Sequence, residues 1–427
     1  MNKVKSAVTG ETLYHKKHES GLDIYIMPRK DFSSGYAIFG TKYGSVDSHF
    51  VIPGDATPTE VPDGIAHYLE HKMFDMPDGS NIFDKFSELG ANANAFTSFN
   101  ATAYLFSATS NFQENLSILL DYVQTPHFTK ESVEKEQGII GQEIKMYDDN
   151  GPWRVFFNLL GALYHNHPVK KDIAGTVESI SHITDELLYK CYNTFYNLSN
   201  MMIFVTGDFD PEEIEKCIEK GIKNSKPFKE EIKRIYPDEP DTICKPKVEQ
   251  SLSVAMPLFM IGFKDTDNGY AGEKLLKKYV EVSIINKILF AKGSELFESL
   301  FEEGLINDSF SSDYTAQPDY AHVMVEGESA DPDAVYDRVM EYIKTLMDKG
   351  LSKNLVERTK KVIWGDYIKS YNDIEDFSHA FLNLYMADAM YTDYEKVYSS
   401  VSYEDVMNRF RNLYSKEKTA LSVINPL

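Results

Sequence analysis

The sequence has 427 residues, too many for a single hydrophobic core, and therefore predicts two or more domains. It carries 44 basic and 66 acidic side chains, a net charge of −22, which argues against binding to nucleic acid or to an anionic membrane surface. Acidity that serves solubility alone is an equally good interpretation of this charge. Hydrophobic residues make up 42% of the chain, which is enough for an ordinary globular core.

Cysteine use and segment hydrophobicity indicate a soluble, cytoplasmic protein. Cys191, Cys217 and Cys244 are too few and too scattered for a disulfide framework or a cysteine-based zinc site. The N-terminal segment lacks an apolar run of signal-peptide length, and Glu11 and Glu19 do not suit a transit peptide. The sequence also lacks the run of about 18 apolar residues that a membrane span needs, so we expect no membrane association.

The first half of the chain alternates predicted strands and helices. Residues 21–30 and 35–45 are β-branched and aromatic runs closed by glycine and proline, which is typical of strands. Asp63 is the predicted N-cap of a helix that reaches about Phe74. Further strands are predicted at 92–99, 101–109 and 201–207, and further helices at 81–89, 111–124, 131–147, 153–164, 184–196 and 211–222.

Residues 224–249 interrupt this order and then the pattern repeats. The stretch is charged, contains four prolines and has no sustained period, so we interpret it as a linker. After it, residues 352–371 resemble residues 129–147, and residues 403–426 resemble residues 184–207, in each case about 220 positions later. Several matches in the same order at one offset indicate an internal duplication.

The duplication defines the predicted fold class and domains. We expect an α+β protein of two homologous α/β-sandwich halves, each with a mostly antiparallel sheet and flanking helices. The predicted boundaries are residues 1–225 for the N-terminal half, 226–249 for the linker, and 250–427 for the C-terminal half.

His67, Glu70 and His71 belong to the segment His-Tyr-Leu-Glu-His in the first predicted helix. Imidazoles four residues apart project from the same side of a helix, so both can reach one metal ion. Glu70 falls near that side, where a zinc peptidase places a carboxylate beside the open coordination position. The order is that of the inverted zincin motif, H-x-x-E-H. A surface helix with incidental histidines is the alternative. Residues 290–294, at the duplicated position, offer no ligand, so metal chemistry is expected in the first half only.

A zinc peptidase needs a third protein ligand, and Glu143 is the best candidate. Glu136 lies two helical turns earlier, so both carboxylates share a face of the helix predicted at 131–147. That face is otherwise apolar, and acids on such a face need a cationic partner, which zinc would be. An ordinary charged stripe fits the same residues equally well.

The segment HYLEH is followed by FSELGANANAFTSFNATAYLF, then by EKEQGIIGQEIKMYDDN, and later by HNHPVKKDIAGTVESISHIT and NLSNMMIFVTGDF. Linked motifs in this order resemble the pitrilysin/insulinase family of zinc peptidases. The similarity covers essentially the whole chain and is greatest to the short, two-unit bacterial members of the processing-peptidase type. The resemblance implies a zinc-dependent endopeptidase that hydrolyses peptides or unfolded segments, with one Zn²⁺ per chain.

The resemblance also implies roles for individual residues. His67, His71 and Glu143 would bind zinc, and Glu70 would be the general base that activates the water on the metal. Glu136 would be the acid that supports the ligand Glu143, and it counts with Glu70 among the catalytic residues. Asn94, Ala95, Phe96 and Thr97 match a strand whose edge pairs with the extended substrate. A core strand and its turn is the alternative for these four residues, and for Ala95 and Phe96 it fits equally well.

One departure from the family leaves the activity of the isolated chain open. Active members place an arginine and a tyrosine in the second half to contact the substrate, but residues 299–310 contain neither, and Tyr314 and Tyr320 lie further on. The resemblance implies a homodimer or a heterodimer with a related chain, which could supply the missing pair. The remaining alternatives are a catalytic subunit that needs such a partner and a non-catalytic assembly subunit that retains the fold.

Overall fold

The computed structural model describes residues 1–6, 9–223 and 225–427. Its helices are α1 (Ile65–Lys72), α2 (Ile82–Glu88), α3 (Phe112–Val123), α4 (Lys130–Asp148), α5 (Gly151–Leu163), α6 (Val177–Ile180), α7 (Asp185–Phe195), α8 (Pro211–Gly221), α9 (Gly272–Phe290), α10 (Glu295–Glu302), α11 (Pro332–Lys349), α12 (Lys353–Ser370), α13 (Ile374–Met386), α14 (Tyr394–Ser400) and α15 (Tyr403–Leu413). Its strands are β1 (Asn2–Lys5), β2 (Thr12–Lys17), β3 (Asp23–Pro28), β4 (Gly35–Thr41), β5 (His49–Val51), β6 (Thr59–Glu60), β7 (Ala91–Thr97), β8 (Thr102–Ala108), β9 (Met201–Gly207), β10 (Lys233–Arg234), β11 (Lys247–Leu252), β12 (Leu258–Asp265), β13 (Ser311–Ala316), β14 (Ala321–Glu328) and β15 (Thr419–Pro426).

The described chain divides into two compact units, each built from three separate stretches of sequence. The first unit comprises Met1–Ile144, Asp172–Tyr236 and Ser370–Met386. The second comprises Lys145–Lys171, Pro237–Lys369 and Ala387–Leu427. Each unit contains a sheet and several helices, so the predicted α+β fold with antiparallel-rich sheets is confirmed.

Five strands of the main sheet of each unit follow the same order of pairings, and the first unit adds β1 and β2 at one edge. In the first unit the order is β1-β2-β3-β9-β4-β8-β7, and in the second it is β11-β15-β12-β14-β13. Each contains one parallel pair, β3 with β9 or β11 with β15, and three antiparallel pairs follow it. This repeated topology supports the internal duplication predicted from the sequence.

Each sheet is covered by a helix from the opposite half of the sequence. Helix α13 packs against β4 and β9, and α5 packs against β12 and β15. Two equivalent glycines permit this close approach: a Cβ on Gly40 would lie 2.4 Å from Leu382 Cδ1, and one on Gly262 would lie 2.8 Å from Leu163 Cδ1. The compact units therefore differ from the contiguous stretches 1–225 and 250–427, because each half of the sequence contributes a helix to the other unit. The division of function between the two halves stays a prediction.

The stretch predicted as a linker contains ordered structure. Strand β10 pairs with β5 in the first unit, and β11 is an edge strand of the main sheet of the second unit, where it pairs with β15. In the second unit the Glu239 carboxylate accepts hydrogen bonds from the backbone N–H groups of residues 165–167 and from Lys264 Nζ. Local composition could not reveal this anchoring, because the partners of Glu239 are distant in sequence.

The cysteines and the helices were the subject of two expectations from the sequence. Cys191, Cys217 and Cys244 are free. Within residues 1–6, 9–223 and 225–427, no helix has both the length and the apolar composition that crossing a membrane requires.

Candidate metal centre

The two histidines of the predicted site lie on α1, a short helix packed against β7, β8 and α7. The helix begins after Gly64, not at the predicted N-cap Asp63. Gly64 has a φ of 90°, and a Cβ there would lie 2.4 Å from the Ala174 carbonyl oxygen, so glycine is required for both backbone conformation and space. Ile65 and Leu69 are buried, which leaves His67 and His71 on the side that faces α4.

Glu143 of α4 meets both imidazoles. His67 Nε2 lies 3.6 Å from Glu143 Oε1, and His71 Nε2 lies 3.5 Å from Glu143 Oε2. Ligand atoms on a tetrahedral zinc, each about 2.0–2.2 Å from the ion, are separated from one another by about 3.3–3.6 Å. Within the part of the chain that the structure describes, these three residues are the one group of His, Cys, Asp or Glu side chains close enough to share a metal ion. The donor set and its spacing therefore fit zinc.

The electrostatic surroundings of the two imidazoles differ. Burial, together with the neighbouring His71, lowers the pKa of His67 to about 4 despite the opposing effect of Glu143 and Glu136, so His67 is neutral at pH 7 and able to bind a metal. Burial also acts to lower the pKa of His71, but the hydrogen bond to Glu136 and the nearby carboxylates outweigh it and raise that pKa. His71 Nδ1 lies 3.1 Å from Glu136 Oε1, which leaves Nε2 directed at Glu143.

Glu70 is buried and held by one hydroxyl group. Thr97 Oγ1 donates to Glu70 Oε2 at 2.7 Å, and the Thr102 hydroxyl beside Thr97 donates to the Tyr43 carbonyl at 2.9 Å. Burial raises the pKa of Glu70, while the Thr97 hydrogen bond opposes that shift. A carboxylate whose pKa is raised toward neutrality is suited to accept a proton and to return it.

Comparison with known proteins identifies the family of this chain. The model described as Insulinase (Peptidase family M16) matches residues 53–177, and the model described as Peptidase M16 inactive domain matches residues 182–363. The uncharacterized zinc protease YmfH of Bacillus subtilis is 41% identical to the chain over 97% of both sequences. The chain belongs to the M16, or insulinase, family of peptidases.

Other known proteins resemble the chain in sequence or in fold. The M16-like peptidase of Alicyclobacillus acidocaldarius has 35% identity and a TM-score of 0.94, over 99% of this chain and 100% of that one. A probable mitochondrial-processing peptidase subunit beta of Schizosaccharomyces pombe is 29% identical over 42% of this chain and 40% of its own length. Pitrilysin shares the fold, with a TM-score of 0.77 at 15% identity, over 99% of this chain and 46% of pitrilysin. The predicted resemblance to the pitrilysin/insulinase family is confirmed.

Strand β7 carries the four residues that were predicted to contact substrate in this M16 chain. It is an edge strand, paired with β8 on one side. Thr97 faces Glu70, whereas Phe96 stacks on the imidazole of His379 with 5.1 Å between ring centroids. Asn94 is exposed, and its side-chain oxygen accepts a hydrogen bond from the Ala95 N–H. The structure therefore brings Thr97 to the metal centre, while the others lie along the strand edge.

Lys72 is a member of the site that sequence reasoning missed. It follows His71 directly, is 1% exposed, and its Nζ lies 3.8 Å from Glu136 Oε2. The only signal in the sequence is its position next to a predicted ligand, and a lysine at the end of a helix is usually a solvated residue.

The arginine and tyrosine that are missing from residues 299–310 are not replaced by Tyr314, Tyr320 or Arg338 of the second unit. Tyr314 is buried and its hydroxyl donates to Asp265 at 2.8 Å, and Tyr320 is buried as well. Arg338, which reaches the segment 299–310 from α11, is held by Ser299 and Glu303. These side chains are engaged within the unit.

Proposed function

We propose that this M16 chain is a zinc-dependent endopeptidase that hydrolyses peptides or unfolded segments. The observation that carries the proposal is the convergence of His67, His71 and Glu143 on one position, beside the buried carboxylate of Glu70. Family membership supports peptidase activity, and the free cysteines support a reducing, cytoplasmic setting.

The residues divide into those that would hold the metal and those that act on the substrate. His67, His71 and Glu143 would hold one zinc ion per chain. When bound, zinc supplies a Lewis acid that acidifies a water molecule and polarises the scissile carbonyl. Glu70 accepts a proton from the attacking water and later donates it to the leaving amine. Thr97 orients Glu70, and Glu136 orients the ring of His71.

The edge of β7 is the proposed place for an extended substrate. Its segment from Ala91 to Thr97 contains no charged residue or proline, and its outer edge is available for main-chain hydrogen bonds. A peptide added to this edge would place its backbone next to Thr97 and therefore next to Glu70. Asn94, Ala95 and Phe96 would contact the residues of the peptide further from the cleaved bond.

A peptide-library digest of the wild type and Glu70→Gln, combined with metal analysis of both, tests the proposal. The amide of glutamine keeps the size of the side chain but cannot accept the proton. We expect both proteins to bind zinc and only the wild type to cleave peptides. Cleavage by Glu70→Gln at the wild-type rate would refute the role of Glu70.

A second candidate function is a catalytic subunit that needs a related partner chain. The observation that favours it is the segment 299–310, which contains neither arginine nor tyrosine, while nearby Arg338 and Tyr314 are bound to other side chains of their own unit. Both a homodimer and a heterodimer would be compatible with this arrangement. A non-catalytic assembly subunit is disfavoured, because it would have no use for Glu70 beside three ligands.

Assays of the chain alone and with a co-encoded related chain separate these candidates. If the chain is self-sufficient, the added chain will leave kcat/KM unchanged. If a partner completes the site, hydrolysis will appear only in the mixture and will disappear with Glu70→Gln. Absence of bound zinc in the purified protein would favour the assembly subunit.

A further inference from the structure

Lys72 is among the largest fully buried side chains of the described residues, with 1% of its surface exposed. Lysine is almost never fully buried unless its ammonium group is paired, because removing a charge from water is costly. A buried lysine at the position after a proposed metal ligand therefore requires an explanation in terms of its contacts.

The ammonium group of Lys72 contacts three groups. It donates to the Asp75 carboxylate and to the Ser132 carbonyl oxygen, the latter at 3.2 Å, and it lies at ion-pair distance, 3.8 Å, from Glu136 Oε2. Glu136 uses its other oxygen, Oε1, to meet His71 Nδ1 at 3.1 Å. Glu136 therefore bridges Lys72 and His71, with one oxygen directed at each.

The same lysine ties α1 to the start of α4. Lys72 reaches the Ser132 carbonyl, and one turn earlier on α1 the Tyr68 hydroxyl donates to the adjacent Val133 carbonyl. These two contacts set the position of α4 along α1. Glu136 and Glu143 lie further along α4. The position of α4 along α1 therefore determines whether the carboxylates of Glu136 and Glu143 lie opposite His71 and His67.

We propose that Lys72 is a positioning residue of the metal centre, which holds the Glu136 carboxylate against His71 Nδ1 and thereby strengthens zinc binding. The inference rests on the proposed zinc site and extends it by a residue outside the ligand set. Lys72 contacts neither substrate nor metal ligand atoms and acts through Glu136.

A double-mutant cycle on zinc affinity tests this role. The dissociation constant of the apo-protein for zinc is measured by competition with a chromogenic chelator for the wild type, Lys72→Met, Glu136→Gln and the double variant. Loss of a group that supports a metal ligand typically weakens binding by about 10- to 100-fold, and we expect that range for each single variant. Because Lys72 acts through Glu136, the double variant should bind no more weakly than Glu136→Gln alone.

Two controls complete the experiment. Lys85→Met removes a partly exposed lysine from the next helix, where its Nζ lies 3.9 Å from Asp78 Oδ2, and should leave zinc affinity unchanged. Asp75→Asn removes the other carboxylate bound to Lys72 and should also leave it unchanged, because Glu136 and the Ser132 carbonyl still hold the lysine. Asp75 is 45% exposed, so this variant is expected to fold and can still overturn the inference if Lys72→Met does not fold.

The outcomes distinguish this inference from the zinc site itself. If folded Lys72→Met binds zinc as tightly as the wild type, the proposed role of Lys72 is overturned. It is also overturned if the losses of affinity in the two single variants multiply in the double variant. If zinc affinity falls as much in Asp75→Asn as in Glu136→Gln, Lys72 acts through the end of α1 and not through Glu136. That result would also overturn the proposed role. A wild-type protein that binds no zinc would refute the proposed function instead.

Discussion

Helices α4 and α12 resemble each other in sequence and each belongs to a duplicated segment, but only α4 carries the acids of the metal centre. When the two helices are aligned by the sequence repeat, their buried hydrophobic positions coincide. These residues are Val133, Ile140 and Ile144 in α4, and Val356, Ile363 and Tyr367 in α12. The apolar stripe that builds the fold has thus been kept in both copies.

The polar positions of the same helices have diverged. Glu136 and Glu143 of α4 correspond to Thr359 and Asp366 of α12 in this alignment. Asp366 forms an ion pair with Lys287 of α9, whereas Glu143 faces two imidazoles. A lysine neutralises a carboxylate directly, whereas imidazole nitrogens can bind a metal ion together with the carboxylate. The two helices therefore share the same buried framework, and a few differences at polar positions give an ion pair on α12 and a candidate metal site on α4.

The largest expected effect comes from removing the acid at the duplicated position in the first copy, α4. Glu143→Gln should weaken zinc binding by more than about 100-fold, because it removes a direct ligand and not only a supporting group. Asp366→Asn, the matched change in the second unit, should leave zinc binding unchanged because its partner is a lysine. Isothermal titration of zinc into both apo-proteins measures the difference. Equal losses in the two variants would contradict the proposed asymmetry between the copies.

A second prediction concerns the strand edge beside the site. Thr97→Val removes the hydroxyl that donates to Glu70 while keeping the shape of the side chain. A hydrogen bond to a charged group contributes about 1.5–3 kcal/mol, so we expect kcat/KM to fall by about 10- to 100-fold. Zinc affinity should not change.

The control for Thr97 is Thr315→Val on β13, the corresponding edge strand of the second unit, where Ala316 pairs with Ala321 as Thr97 pairs with Thr102. It should leave kcat/KM at the wild-type value. Unchanged hydrolysis in Thr97→Val would mean that Glu70 does not depend on this hydroxyl.

The third prediction compares the two glycines under the exchanged helices. Gly40→Ala and Gly262→Ala each place a methyl group against a leucine end, and overpacking of this kind costs typically about 1–3 kcal/mol. Gly40→Ala should cost more, since its Cβ would lie 2.4 Å from Leu382 Cδ1 compared with 2.8 Å from Leu163 Cδ1 at Gly262. Urea unfolding measures the change in stability. Gly161→Ala on α5, where a Cβ meets nothing within 4 Å, is the control expected to show no loss.

The smallest effect is expected on the exposed side of α4. A Cβ on Gly138 would meet nothing within 4 Å, and the corresponding residue of α12 is Lys361. Alanine is favoured over glycine inside a helix, so Gly138→Ala should raise the free energy of unfolding by about 0.5–1 kcal/mol without changing zinc affinity.

Gly304→Ala serves as the opposite control for Gly138, because Gly304 also has open space around it but a φ of 71°. That change should destabilise the protein through the backbone alone. A loss of stability in Gly138→Ala would mean that another surface covers this side of α4 in solution.

The local geometry of the site could be predicted because helix periodicity determines which side chains share a face. It placed His67 with His71 on one helix and Glu136 with Glu143 on another. That these two helices face each other followed only from the resemblance to the family, since single-sequence periodicity contains no information about which elements pack together. Periodicity could not predict the contact of Thr97 with Glu70 for the same reason.

Other features depended on tertiary packing that composition does not encode. The exchange of α5 and α13 between the units was missed because the predicted linker suggested contiguous halves. Asp63 was predicted as the N-cap from its residue type, whereas close packing against Ala174 requires Gly64 to begin the helix. Lys72 escaped notice because its burial results from contacts with α4, to which it has no sequence proximity.

The most direct measurement is the zinc content of the purified protein, determined by elemental mass spectrometry for the wild type and for the double variant His67→Ala/His71→Ala. We expect one zinc ion per wild-type chain and none in the double variant, with both proteins folded by circular dichroism. A wild-type chain without zinc, or a double variant that retains it, would contradict a metal centre at α1 and α4.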